Sequence, residues 1–220
     1  MDDPAGWTKL ANYTLSREND IPVEAFFVHA VWKDLSEEYA DMVANLYHQV
    51  KPRIIALNGL ESHDENFPGI LYWKDALVNK RKVPSEVLRI VKSSAHTLEE
   101  SMEFMRIVKE EHVSTALVLS IPVHIFRAFL TNLGALKKLG LPLKIYPRTF
   151  RNIDWEKRVV LRALTRAHAG DDTVRVGRLA GECARIMLYR KLYEGGNDKY
   201  IVASIEEGIN YVENELKEKL

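Results

Sequence analysis

Thr115-Ala116-Leu117-Val118-Leu119-Ser120-Ile121-Pro122 is the stretch on which the fold turns. Residues 115–119 run without a charged or strongly polar interruption, so the segment reads as a strand covered on both faces, the condition of a parallel sheet sandwiched between helices, and it is expected at the sheet centre. Pro122 suits a first helical turn, and Phe126, Phe129, Leu130, Leu133 and Leu136 then keep helical spacing as far as Gly140, a stop signal.

The same alternation extends in both directions. Short apolar runs at Ala25 to Ala30, Arg53 to Leu57, Glu86 to Val91 and Leu143 to Tyr146 supply four more strands. Between them lie helical patterns: one capped by Asp34 with Glu37, carrying Tyr39, Met42, Val43, Leu46 and Val50; one around Pro68 to Lys80; one from about Leu98, with Thr97 and Glu100 as a capping box. The chain is therefore α/β, with a Rossmann-like, mostly parallel five-stranded sheet and helices on both faces. Beyond Pro147 the strand pattern ceases, and helices are expected at about 154–168, 173–193 and 200–218. A single α/β domain over 1–220 results, with an N-terminal extension at 1–22, a βα core at 23–147 and C-terminal helices of 148–220 packed on that core.

Composition narrows the function classes. With 31 basic and 31 acidic side chains in 220 residues the net charge is zero, and 46% hydrophobic content argues against disorder. The opening Met1-Asp2-Asp3-Pro4-Ala5-Gly6-Trp7 lacks an apolar signal core, and no stretch reaches the ~18 apolar residues of a membrane span, so a cytoplasmic location without membrane partners is expected. The single cysteine, Cys183, falls in a helical run and is read as packing. Between Lys144 and Lys191 there are 12 basic and five acidic residues, but no RNA-binding aromatic motif accompanies them, and the last helix is acidic. A self-balanced surface is favoured over nucleic-acid binding.

Parallel strands deliver their C-terminal ends to one edge, so the loops after strands two, three and four should converge there. They hold Asn58-Gly59, where a backbone can approach a ligand; Ser94, His96, Thr97 and Glu99; and Ser120, with His124 and Arg127 on one face of the following helix. A helix N-terminus, a hydroxyl, an imidazole and a guanidinium suit an anionic ligand. The plainer alternative is an ordinary N-cap at Thr97 and structural roles for His124 and Arg127. No phosphate-binding glycine loop, nucleophile elbow or zinc spacing occurs, so the standard cofactors and a metal are not expected; His63, Asp64 and Glu65 are read as a solvated loop.

Ser94-Ala95-His96-Thr97-Leu98-Glu99, followed about twenty residues later by Ser120-Ile121-Pro122-Val123-His124-Ile125-Phe126-Arg127-Ala128, resembles the YdcF-like family, a domain-of-unknown-function family that includes SanA and ElyC. Its pattern pairs Ser-x-x-Thr-x-Glu-Asn with Thr/Ser-x-Pro-x-His-x-x-Arg-Ala. Asn58-Gly59 looks like the remains of its Ser-Gly-Gly turn, and Glu182 to Tyr189 is similar to its Glu-containing helix. Departures are Glu100 for the motif's Asn, Leu60 for a second glycine, Val91 where an acid is usual, and His29-Ala30-Val31-Trp32 for a glycine-rich turn.

The resemblance implies a Rossmann-like fold and, as cofactor or ligand, a molecule like S-adenosylmethionine or a nucleotide. The expected function is binding of a small-molecule ligand, extended to turnover of a nucleotide-like or phosphorylated metabolite, with His124 and Glu99 as catalytic groups and Asn58, Gly59, Ser94, Thr97, Ser120 and Arg127 as ligand-binding groups. The alternative is a non-catalytic scaffold whose C-terminal helices dock a partner or a second copy as a homodimer.

Overall fold

A computed structural model describes residues 4–16, 21–31, 33–61, 68–94, 96–159 and 173–217. Five parallel strands form its centre: β1 (Ala25–Val28), β2 (Ile54–Asn58), β3 (Leu88–Val91), β4 (Thr115–Leu119) and β5 (Lys144–Arg148), in the order β3-β2-β1-β4-β5. β1 takes the centre, and β4, expected there, lies immediately beside it. Every residue of β1 and β2 is buried, which is why both read as apolar runs, interrupted only by Asn58 at the end of β2.

Helices α2 (Ser36–Val50), α3 (Ile70–Lys74, continued by a π-type turn, Asp75–Lys80), α4 (Thr97–Glu110) and α5 (Ile125–Leu139) connect the strands. Right-handed crossovers place α2 and α3 on one face and α4 and α5 on the other. The packing agrees: α2 touches the turn that continues α3, and α4 runs along α5. Phe27 of β1 stacks on Phe104 of α4 with ring centroids 4.3 Å apart. On the opposite face the Tyr39 hydroxyl of α2 donates to Leu119 O at 2.6 Å.

The N-terminal extension is a helix, α1 (Pro4–Ser16), whose Leu10 is fully buried against α5 and a C-terminal helix, α7 (Ile205–Asn210). Gly208 permits that approach, because a Cβ there would lie 2.7 Å from Leu10 Cδ2. Among the described residues no helix is long and apolar enough to cross a membrane.

The C-terminal third departs from expectation in two places. No helix begins at 154, because the Asp154 carboxylate accepts from the amides of Glu156 and Lys157 and turns the chain. Arg158–Val159 (β6) then pairs antiparallel with Thr173–Val174 (β7), where the sequence shows no strand signal; the rest of the expected helix lies outside the described residues. The last helix starts at Ile205 rather than 200, set by a capping box between Ser204 and Glu207. Between them runs the 20-residue α6 (Arg175–Glu194).

Candidate functional site

Register aligns the strand ends. Val28 pairs with Leu57 and Leu119, and Leu119 pairs with Arg148, so the next residues, Asn58, His29, Ser120 and Thr149, stand in one row across β2, β1, β4 and β5. All four are buried, His29 and Ser120 completely. The connections from β1 and β4 leave in opposite directions, which makes the gap between His29 and Ser120 the topological switch point, where open α/β sheets form their ligand crevice.

The left half of the row is tied to α4 by Glu100. Its Oε2 lies 2.5 Å from His29 Nδ1, and its Oε1 accepts from the Ala30 amide at 2.9 Å and from Asn58 Nδ2 at 3.0 Å. Burial alone would raise this carboxyl's pKa, but His29, the Ala30 amide and Asn58 together hold it below the ordinary range. Asn132 of α5 settles the tautomer of His29: its Nδ2 donates to Ala128 O at 2.9 Å and sits 2.7 Å from His29 Nε2, so Nε2 accepts and Nδ1 carries the hydrogen.

Glu100 therefore caps nothing. The expected capping box with Thr97 is absent, as is the one at Asp34, whose carboxylate bonds Arg175 at 2.9 Å while α2 starts at Ser36. In both cases a partner across the sheet edge outcompetes the local amide.

The right half is governed by α6. Glu182 bonds three side chains at once: Arg127 Nε, His124 Nδ1 at 3.1 Å and Arg185 at 2.7 Å, while Arg127 also donates to Thr97 Oγ1 at 2.8 Å. Burial would raise the Glu182 pKa, yet Arg127, His124 and Arg185 hold it far below the carboxylate range. Burial lowers the His124 pKa to about 4, with Arg127 adding to the shift and Glu182 opposing it, so its ring is neutral at pH 7. His124 stands at the N-cap position of α5 rather than within it, since the helix begins at Ile125.

The loops after β2, β3 and β4 do meet. Asn58 binds the Ser94 backbone in both directions, through Nδ2 to Ser94 O at 2.8 Å and Oδ1 from Ser94 N at 3.2 Å, and Arg127 joins Thr97. Ser94 Oγ donates to Glu99 Oε2 at 2.8 Å; Glu99 itself is exposed at the start of α4. Gly59 is accounted for by packing, because a Cβ there would meet Val91 O at 2.5 Å. A shallow cleft beside it is lined by Val28, Ala30, Leu57, Asn58, Leu60 and Trp73. His63, Asp64 and Glu65 lie outside the described residues.

Sequence reading missed His29, Asn132, Thr149 and the arginines of α6, and found Glu182 only through the resemblance. The available signal was a polar residue at the C-terminal end of the apolar runs of β1, β2 and β4. Three polar atoms of this region are buried without a protein partner: Ser120 Oγ, Thr149 Oγ1 and Asn132 Oδ1. Among the described residues no cluster of His, Cys, Asp and Glu could hold a metal. No family model and no curated protein matches the chain.

Proposed function

We propose that this chain is a small-ligand-binding Rossmann-like protein of the YdcF type, whose ligand, a nucleotide-like, S-adenosylmethionine-like or phosphorylated metabolite, lies at the C-terminal edge between β1 and β4. One observation carries the reading: four strands end in a single buried row of polar residues at the switch point, and the Ser120 and Thr149 hydroxyls in it have no protein partner. A buried hydroxyl left unpaired costs about 1–3 kcal/mol, a penalty that a ligand's hydrogen bonds would remove.

In this reading Ser120, Asn58 and Ser94 orient the ligand while Thr97 and Arg127 address its anionic part. Neutral His124, with Nδ1 turned to Glu182, offers Nε2 as a proton acceptor, and Glu99 is the exposed carboxylate of the site. The test is a thermal-shift screen of nucleotides, S-adenosylmethionine relatives and sugar phosphates against the wild type and Arg127→Ala. A compound that stabilises only the wild type supports the reading; compounds that stabilise both equally, or none at all, reject it.

One feature favours a scaffold role beside this: Val176, Met187 and Leu188 of α6 are each about half exposed, at 51%, 51% and 52%. Light scattering that finds only monomers at high concentration would count against a homodimer built on that face.

A further inference from the structure

Arg127, which addresses the ligand's anionic part in the reading above, already holds an anion. Oε2 of Glu182 accepts from Arg127 Nε and from His124 Nδ1 at 3.1 Å, beside the first turn of α5. Oε1, the other oxygen, accepts from Arg185 at 2.7 Å, three residues further along α6. Burial would raise the Glu182 pKa, but Arg127, His124 and Arg185 hold it far below the carboxylate range, so the group is an anion at neutral pH. A carboxylate seated between a guanidinium and an imidazole is how proteins also hold the carboxylate or phosphoryl group of a bound molecule.

The seat does not depend on Glu182 for its shape. Arg127 also donates to Thr97 Oγ1 at 2.8 Å, and its guanidinium lies over the Tyr189 ring, 6.0 Å from the centroid. Glu182 in turn keeps a partner without Arg127, because Arg185 rides on the same helix and binds the other oxygen. The side chains of His124, Arg127 and Glu182 are 11%, 12% and 12% exposed, so the seat is reached from solvent. It also adjoins the row of strand ends: the His124 ring stands edge-on to His29, centroids 5.9 Å apart. With Glu182 in place that row is incomplete, since Ser120, four residues before His124, keeps a fully buried hydroxyl without a protein partner.

We infer that Glu182 is a built-in competitor for the ligand's anionic group: on binding, a carboxylate or phosphoryl group replaces Glu182 Oε2 against Arg127 and His124, and Glu182 turns away with Arg185. The inference rests on the ligand-binding reading above and adds the regulation of that site. An occupant tethered on α6 lowers the apparent affinity of an anionic ligand by the fraction of molecules whose seat is open. A ligand must then bring further contacts, at the Ser120 and Thr149 hydroxyls, to displace it.

Calorimetric titration of the full chain with adenosine monophosphate, S-adenosylhomocysteine and adenosine tests this in the wild type, Glu182→Gln and Arg127→Ala. Glu182→Gln keeps the shape of the side chain and removes its charge. At least one of the two anionic probes is expected to bind Glu182→Gln at least about tenfold more tightly than the wild type, and to lose its binding in Arg127→Ala. Adenosine, which carries no anionic group, is expected to show no such gain. A structural anchor would give the opposite sign. Affinity that is unchanged or weaker in Glu182→Gln, with binding abolished in Arg127→Ala, overturns the competitor and leaves the ligand-binding reading standing. An equal gain for adenosine also overturns it. Should Glu182→Gln not fold, Glu182→Asp carries the same test: one methylene shorter, it cannot hold Arg127, His124 and Arg185 together, and a smaller gain is expected, unchanged affinity overturning the inference. Binding that survives undiminished in Arg127→Ala, or binding of no probe to any of the proteins, overturns both readings.

Discussion

His29 Nδ1 stands 2.5 Å from Glu100 Oε2 at the centre of the sheet edge, with the two side chains only 0% and 5% exposed. Glu100 is the charged member of this neutral-histidine pair, and removing it strands the buried donors it accepts from. Glu100→Ala would leave His29, the Ala30 amide and the Asn58 amide without their acceptor, and at about 1–3 kcal/mol for each buried donor is expected to cost at least about 3 kcal/mol. His29→Leu combined with Glu100→Leu is expected to recover no more than the His29 share of that loss, since the Ala30 and Asn58 amides stay without their acceptor. Urea unfolding of both variants checks it; a Glu100→Ala protein within about 1 kcal/mol of wild type would contradict the network described.

His124 sets a pH dependence whose sign can be worked out. Its folded pKa is lowered to about 4 by burial, then by Arg127, against Glu182. A histidine in the unfolded chain titrates near ~6.5. Between those values the unfolded chain binds a proton that the folded chain refuses, so stability is complete above about 6.5 and falls as pH drops towards about 4, by up to about 3 kcal/mol. Glu182 and Glu100, also held below their ordinary values, add a loss of the same sign at lower pH, through their folded values. Denaturation across this range is expected to show a shallower slope in His124→Gln than in wild type; identical slopes would place the titration elsewhere.

Gly59→Ala separates packing from ligand approach at the β2 turn. The new Cβ would press on the Val91 carbonyl, which already accepts from the Gly59 amide at 3.1 Å, and neither backbone can yield cheaply. A destabilisation of about 1–3 kcal/mol is expected in the absence of any ligand, measured by thermal or urea unfolding. Unchanged stability would return Gly59 to the list of ligand contacts.

The sheet was legible because β1, β2 and β4 are buried on both faces and leave apolar runs. Its edge was less so. Asp34 and Glu100 each stand where an N-terminal helix cap is expected, and local pattern alone cannot show that Arg175 and His29, at separations of 141 and 71 residues, claim them instead. The His124, Arg127 and Glu182 cluster was half visible, as a spacing on one helix, while its carboxylate comes from a helix 55 residues further on. The inner face of α6 is mixed, with Ile186 in the core on the same helix as buried Arg175 and largely buried Glu182, while Val176, Met187 and Leu188 are exposed; periodicity alone does not show which residues face the protein. The short β6 and β7 strands, of two residues each, carry no periodicity to read.

The measurement that bears most directly on a ligand site between β1 and β4 is amide hydrogen exchange, recorded with and without the most stabilising compound of the thermal screen. Added protection is expected at residues 29–30, 58–60 and 120–125, the segments that leave the row of strand ends, and on the inner turns of α6. Protection confined to other elements, with those three segments unchanged, would contradict the account.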